Sequence, residues 1–221
     1  MSTPVRALIF DMDGTIVDNM RFHDDAWDIF HRRHGLAFDR QHHFTATAGR
    51  TADEIFSGLF PGATADERAA YATEKEELYR ATYRPHARPL AGLLALLDAA
   101  DRLGLPAAVA TAAPPENIAV VLDTLDLRRR FKAIASPALG LRGKPHPDIF
   151  LKSAEMVGVA PGNCLVFEDA PLGIEAARRA GMRAVAVTTM LAAEAFGDFP
   201  NRIATIADFT GFDLAGLTGG A

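Results

Sequence analysis

The stretch from Val5 to Phe10 is apolar except for Arg6 and stops abruptly at Asp11-Met12-Asp13-Gly14. A short apolar run with that ending reads as a strand buried on both faces that delivers polar groups at its C-terminal tip. The pattern recurs. Pro106 to Ala110 runs into Thr111, Phe131 to Ala135 into Ser136, Leu165 to Phe167 into Glu168-Asp169, and Ala184 to Val187 into Thr188-Thr189. Between these runs, Leu90, Leu93, Leu94 and Leu97, and again Ile118, Val121, Leu122 and Leu125, keep the i, i+3, i+4, i+7 spacing of helices. Five such strands alternating with helices imply right-handed βαβ units, an α/β chain with a Rossmann-like doubly wound parallel sheet. Ligands of such sheets bind at the carboxyl ends of the strands. Asp11, Asp13, Thr111, Glu168 and Asp169 are placed there.

From about Asn19 to Tyr83 no convincing strand pattern occurs. Ala26, Trp27 and Phe30, then Ile55 and Leu59, then Tyr71, Leu78 and Tyr79 fit amphipathic helices. The expected organisation is a core from residues 1–17 and 84–221 with a helical domain, 18–83, inserted in it. Arg84-Pro85 marks the second boundary, because proline disfavours helix in the residue before it.

Composition removes several classes of partner. Lys and Arg number 23 against 28 Asp and Glu, a formal charge of −5, so no global attraction to nucleic acid or anionic lipid exists and any anion must be captured locally. Cys164 is the single cysteine, lies in an apolar run, and reads as a buried small hydrophobe in a reducing, cytoplasmic setting. The N-terminus has no charged n-region followed by a long apolar stretch, and no window has the eighteen or so apolar residues of a membrane span. No heptad or interface stripe stands out, and a monomer is expected.

The densest chemical signal is Asp11-Met12-Asp13-Gly14-Thr15, joined by Glu168-Asp169 and by Lys144 between Gly143 and Pro145. Carboxylates gathered at strand tips repel one another and raise each other's pKa unless a cation sits among them. Mg²⁺ takes a few carboxylate and carbonyl oxygens together with water and substrate phosphate, and fits such a set. Gly14 lets the chain turn sharply and point backbone N–H groups at an anion. Thr111 adds a hydroxyl and Lys144 a point charge for phosphate oxygens, which is most of what phosphoryl transfer demands.

Four stretches in this order, DMDGT at Asp11 to Thr15, the threonine of VATAAP at Thr111, GKPHPDIF around Lys144, and FEDAPLGIEAARRAGM at Phe167 to Met182, resemble the four motifs of the haloacid dehalogenase superfamily. The likeness is to its magnesium phosphatase and β-phosphoglucomutase branch. It implies that Asp11 forms an aspartyl phosphate and that Asp13 acts as acid, then base. It also implies that Asp11, the Asp13 carbonyl and Asp169 hold Mg²⁺ with Glu168 as ligand or close neighbour, and that Thr111 and Lys144 bind the phosphoryl group. The inserted helices match the family's cap, which gates its members' sites. His23, twelve residues after Asp11, and Trp27, four later, have a spacing similar to that of β-phosphoglucomutases and sugar phosphatases. Arg50 and Lys75, the latter followed by Tyr79, resemble cap residues that grip the far end of the substrate. Ala112 joins this substrate-binding set by its place beside Thr111.

Two departures separate the chain from the mutases. A lysine-glycine pair before the cap arginine is replaced by Thr45-Ala46-Thr47-Ala48-Gly49-Arg50, and a serine, lysine and asparagine after the second motif by Ala112-Ala113-Pro114-Pro115-Glu116-Asn117. Hydrolysis of a small phosphorylated metabolite, a sugar phosphate, is therefore expected ahead of isomerisation. Dehalogenases lack the second aspartate of DxD, and a pure binding module gains nothing from a buried acid pair. Simpler roles stand beside these: Thr15 as a turn hydroxyl, Glu168 or Asp169 as a cap for a helix starting near Leu172, Arg50 and Lys75 as members of a solvated face, and His31, His34, His42, His43, His86 and His146 as surface residues.

Overall fold

In the computed structural model, described over residues 3–47 and 50–219, six strands form one parallel sheet. They are β1 (Ala7–Phe10), β2 (Ala107–Ala110), β3 (Ala133–Ala135), β4 (Cys164–Glu168), β5 (Arg183–Val187) and β6 (Arg202–Ile206), in the order β3-β2-β1-β4-β5-β6. The chain works outward from β1 to β3, then returns to the other side of β1 for β4, so strand order reverses beside β1. A reversal of that kind opens a crevice at the strand tips. Phe10, the last residue of β1, lies opposite Val109 of β2 and Phe167 of β4, so the residues that follow these three strands leave the sheet at one level. Every residue of β1, β2 and β4 is buried, as two covered faces require.

The sixth strand, β6, was not expected. Its residues alternate between half-buried and exposed, with Ile203 41 % exposed. An edge strand needs no continuous apolar run, and Arg202-Ile203-Ala204-Thr205-Ile206 therefore lacks the signal that marks the others.

Contacts divide the chain into two units, Met1–Asp18 with Arg88–Ala221, and Asn19–Ala87. The second unit consists of helices among the described residues: α1 (Met20–Arg33), α2 (Arg40–Thr47), α3 (Ala52–Leu59) and α4 (Ala65–Tyr83). Thr51 and Thr64 each head a capping box, exchanging hydrogen bonds with Glu54 and Glu67, which satisfies donors that a helix start leaves open. Aromatic rings fill the unit's interior, with Phe30 5.4 Å from Phe56 and Phe60 stacked on Tyr71 at 4.2 Å.

The first unit adds α5 (Leu93–Arg102), α6 (Pro115–Thr124), α7 (Asp148–Val157) and α8 (Pro171–Arg179). Small residues of the sheet (Ala108, Ala110, Ala135, Ala184 and Ala186) share a core cluster with Ile149, Phe150 and Ala154 of α7 and Ile174 and Ala177 of α8. Such short side chains let helices approach the sheet closely. Cys164 is buried in the same cluster, and burial pushes its thiol up to about 11, so it is the inert small hydrophobe the sequence suggested. No helix among the described residues is long and apolar enough to cross a membrane.

The leucine stripe of α5 is shifted from its expected frame. Leu93, Leu96, Leu97 and Ala100 are buried, whereas Leu94 is 47 % exposed. Leu90 precedes the helix, where its N–H donates to the Ile16 carbonyl at 2.8 Å. Gly92, with φ of 76°, then restarts the chain direction, so counting from Leu90 selects the wrong face. A Cβ on Gly92 would run into the backbone of Phe209 and Thr210. Gly92→Ala combines left-handed strain with a backbone overlap that cannot rotate away, and is expected to lower stability by about 2 kcal/mol or more. A urea melt in which the midpoint is unchanged would refute this.

Candidate active site

Four carboxyl and amine groups meet at the crevice. Asp11 follows β1 directly, its N–H donating to the Phe167 carbonyl at 2.9 Å, and this bond ties the tip of β1 to β4. The next residues turn back at once, with Ile16 N–H on the Met12 carbonyl at 2.9 Å and Gly14 at φ of 72°. Glu168 ends β4 and Asp169 follows it. Oxygens of Asp11, Glu168 and Asp169 lie within 4.8 Å of one another, and all three side chains are buried. Lys144 Nζ donates to Asp11 Oδ1 and, at 2.7 Å, to Glu168 Oε2, while packing 5.2 Å from the Phe150 ring. Asp13 is half-buried beside them.

Two glycines make room for this cluster. A Cβ on Gly14 would overlap the Asp169 carboxylate, and a Cβ on Gly173, in the first turn of α8, would overlap the Glu168 carboxylate. The glycine of DMDGT therefore serves packing as well as turning, and the glycine of EDAPLG makes room for the Glu168 carboxylate, a role its motif alone does not reveal. Neither acid caps α8. The helix begins at Pro171, and its N-cap Ala170 makes no side-chain bond.

Burial dominates the electrostatics. Asp11 is pushed up to about 8, first by loss of hydration and then by the charges of Glu168 and Asp13, with Lys144 opposing. Asp169 is raised well above its ordinary value by burial and by Glu168 and Asp11. Burial pulls Lys144 down, but the charges of Asp11 and Glu168 and their hydrogen bonds outweigh it and hold the ammonium protonated. One ammonium does not balance three carboxylates. An octahedral Mg²⁺ with oxygens at roughly 2.1 Å has ligand separations of roughly 3 to 4 Å. The donor set here is all oxygen, closely spaced and short of positive charge, and it fits such an ion.

Thr111, buried at the end of β2, accepts a hydrogen bond from Ala113 N–H at 3.0 Å on Oγ1. Its own O–H remains to donate. Ala112 between them is exposed. Thr15 is fully buried, and its hydroxyl has no hydrogen-bond partner among the described residues, so it does not act as a turn cap.

In the helical unit, His23, Trp27 and Lys75 come together. Lys75 Nζ lies 3.0 Å from His23 Nδ1, 2.9 Å from Glu76 Oε1 and 5.2 Å from the Trp27 ring, and the His23 ring stacks on Tyr79 at 3.7 Å. Lys75 is buried, which corrects the solvated-face alternative for it. Because an ammonium only donates, His23 Nδ1 accepts from Lys75. Arg50 is exposed and donates to the Glu54 carbonyl at 2.8 Å.

The histidines also need correction. His31 is buried, with Nδ1 2.8 Å from the Trp27 carbonyl, and His34 pairs with Glu74 at 2.9 Å. The His43 ring packs 4.5 Å from Trp27. These belong to the aromatic interior, where imidazole fills space as a flat ring. His86 and His146 are exposed as expected, and the His42 side chain lies outside the described residues.

A doubly wound sheet with an acidic crevice at its switch point, joined by a threonine from the end of β2 and a lysine from the loop before α7, defines a class of hydrolase. Residues 5–181 match the family model described as haloacid dehalogenase-like hydrolase. The chain belongs to that family. It is 38 % identical over 181 residues to the fructose-1-phosphate phosphatase YqaB of Escherichia coli (strain K12), covering 81 % of this chain and 95 % of that one. It is 32 % identical over 190 residues to the β-phosphoglucomutase of Bacillus subtilis (strain 168), covering 83 % of each. Among solved structures, a family IA, variant 3 hydrolase from Entamoeba histolytica superposes with a TM-score of 0.86 at 25 % identity, over 97 % of this chain and 99 % of that one. The protein is an enzyme acting on phosphate esters.

Gly173→Ala is expected to displace Glu168 while the sheet survives, because the added methyl meets one side-chain carboxylate. Phosphate release should fall by about 10-fold or more, with an unchanged far-ultraviolet spectrum. Full activity in this variant would show that Glu168 has room to move.

Proposed function

We propose that the enzyme is a Mg²⁺-dependent phosphatase that hydrolyses a small phosphorylated metabolite, a sugar phosphate, through an aspartyl phosphate on Asp11. The observation that carries this reading is the convergence of Asp11, Glu168, Asp169 and Lys144 at the switch point. Asp11, the Asp13 carbonyl, Asp169 and Glu168 are assigned to hold the ion. When bound, Mg²⁺ supplies positive charge that favours the ionised carboxylates and offsets the charge of the phosphoryl group.

The chain's own residues do the rest. An Asp11 carboxylate oxygen attacks phosphorus, and the bond from phosphorus to the ester oxygen breaks as Asp13 gives that oxygen its proton. Water then attacks the phosphorus of the acyl phosphate, Asp13 takes the water's proton, and the phosphorus–Asp11 bond breaks to return the carboxylate. Lys144 and the Thr111 hydroxyl hold non-bridging phosphoryl oxygens throughout. A sugar phosphate as substrate is supported by the likeness to the fructose-1-phosphate phosphatase of Escherichia coli.

Phosphate release from an aryl phosphate should require Mg²⁺ and should fall by at least about 10³-fold in Asp11→Asn with the fold intact. Turnover retained in that variant would exclude the mechanism.

A β-phosphoglucomutase-type isomerase is the second reading, favoured by the His23–Lys75 pair and by the Bacillus subtilis relative. Ala112 and Ala113 stand against it, because the polar side chains that mutases carry after the second motif are absent. With β-glucose 1-phosphate and a trace of the bisphosphate, free phosphate should form faster than glucose 6-phosphate. The reverse order would make the enzyme a mutase.

A further inference from the structure

Two consecutive threonines after β5 point in opposite directions. Thr188 faces β6, its N–H donating to the Ile206 carbonyl at 2.8 Å and its hydroxyl to the same oxygen at 3.2 Å. The Thr189 hydroxyl donates to the Gly14 carbonyl, one residue beyond Asp13. Gly14 is already held on its other side, where its Cα abuts the Asp169 carboxylate so closely that a Cβ would overlap it. The turn that carries Asp13 is thus gripped from two directions, by Asp169 and by Thr189. The second grip is anchored through Thr188 to the edge strand.

We propose that Thr189 is a positioning residue for the reaction: its hydroxyl fixes the Gly14 carbonyl and so sets where the Asp13 carboxyl stands relative to the leaving oxygen. The inference rests on Asp13 being the general acid of the mechanism above. Without the Thr189 bond, the turn keeps its left-handed Gly14, φ 72°, its bonds from Thr15, Ile16 and Val17 to the Met12 carbonyl and its contact with Asp169, so it persists while the Gly14 peptide beside Asp13 loses its Thr189 donor. Asp11, which precedes the turn and is tied to Phe167, stays in place. Loss of the hydroxyl should therefore impair proton donation more than nucleophilic attack.

That asymmetry gives a test that a merely structural role would not pass. A general acid matters most for leaving groups that depart poorly without a proton. In Thr189→Val, kcat/KM for the sugar phosphate that a substrate panel ranks first should fall 10- to 100-fold, while kcat/KM for p-nitrophenyl phosphate falls less than 3-fold. Thr189→Ser, which keeps the donor, should restore the sugar phosphate activity to within 3-fold of the parent. Equal losses on both substrates, no loss on either, or failure of serine to rescue would each overturn the proposal. Should the valine variant not fold, Thr189→Ala is read by the same criteria. Asp11→Asn measured in parallel separates the two ideas. Activity surviving in that variant removes the mechanism itself, whereas an inactive Asp11→Asn with a substrate-blind Thr189→Val removes only the role of Thr189.

Discussion

Three carboxylates, Asp11, Glu168 and Asp169, are buried within 4.8 Å of one another and face a single ammonium. Like charges in a poorly hydrated place repel strongly, and burial without full compensation is among the costlier arrangements a fold can hold. The structure sustains it by geometry that a flexible site could not provide. The acids stand at the ends of adjacent parallel strands whose register is fixed by complete burial, Phe10 opposite Phe167 and Val109. A one-residue slip would send Asp11 to the wrong face.

The same constraint explains the small residues around the site. Gly14 and Gly173 occupy positions where a methyl would displace a site carboxylate, Asp169 in one case and Glu168 in the other. Alanines along β2, β3 and β5 bring α7 and α8 close. Helix α7 supplies Phe150, whose ring flanks the Lys144 ammonium. Close packing of small side chains and close approach of charged ones are one design, because the acids are held by backbone rather than by long, mobile side chains.

Much of this was legible in the sequence, and the parts that were not share a cause. Strand tips and acids could be read because buried parallel strands are continuous apolar runs, and their polar endings stand out. β6 escaped because an edge strand faces water on one side and carries a mixed sequence. The α5 face was misjudged because Gly92, not the first leucine, sets the helical frame. His31, His34 and His43 looked like surface residues because imidazole in an aromatic cluster has no sequence signature apart from its neighbours in space. Thr189 was visible only as the polar end of a strand, and its reach to Gly14 is a tertiary fact. Lys75 had a motif-like spacing to Tyr79, but its burial against His23 and Trp27 depends on how α1 and α4 pack.

The perturbed acids also tie stability to function through protons. An unfolded aspartate gives up its proton near pH 4, whereas Asp11 in the fold holds it to about 8. Between those values the folded state binds more protons than the unfolded one, so raising pH through that window favours unfolding, and above it the loss is complete. Asp169, also raised, acts in the same direction. Lys144 works the other way. Its ammonium is held by Asp11 and Glu168 above its ordinary value, a contribution fully present at neutral pH and lost only when the pH passes through that elevated value. At neutral pH the cluster is therefore held by protons on Asp11 and Asp169 and by the Lys144 ammonium paired with Glu168. Asp11, Glu168 and Asp169 would hold a divalent ion whose charge would favour the ionised form of Asp11, the form a nucleophile needs. The electrostatic cost that these acids impose on the fold and the fit of their oxygens to such an ion have the same origin.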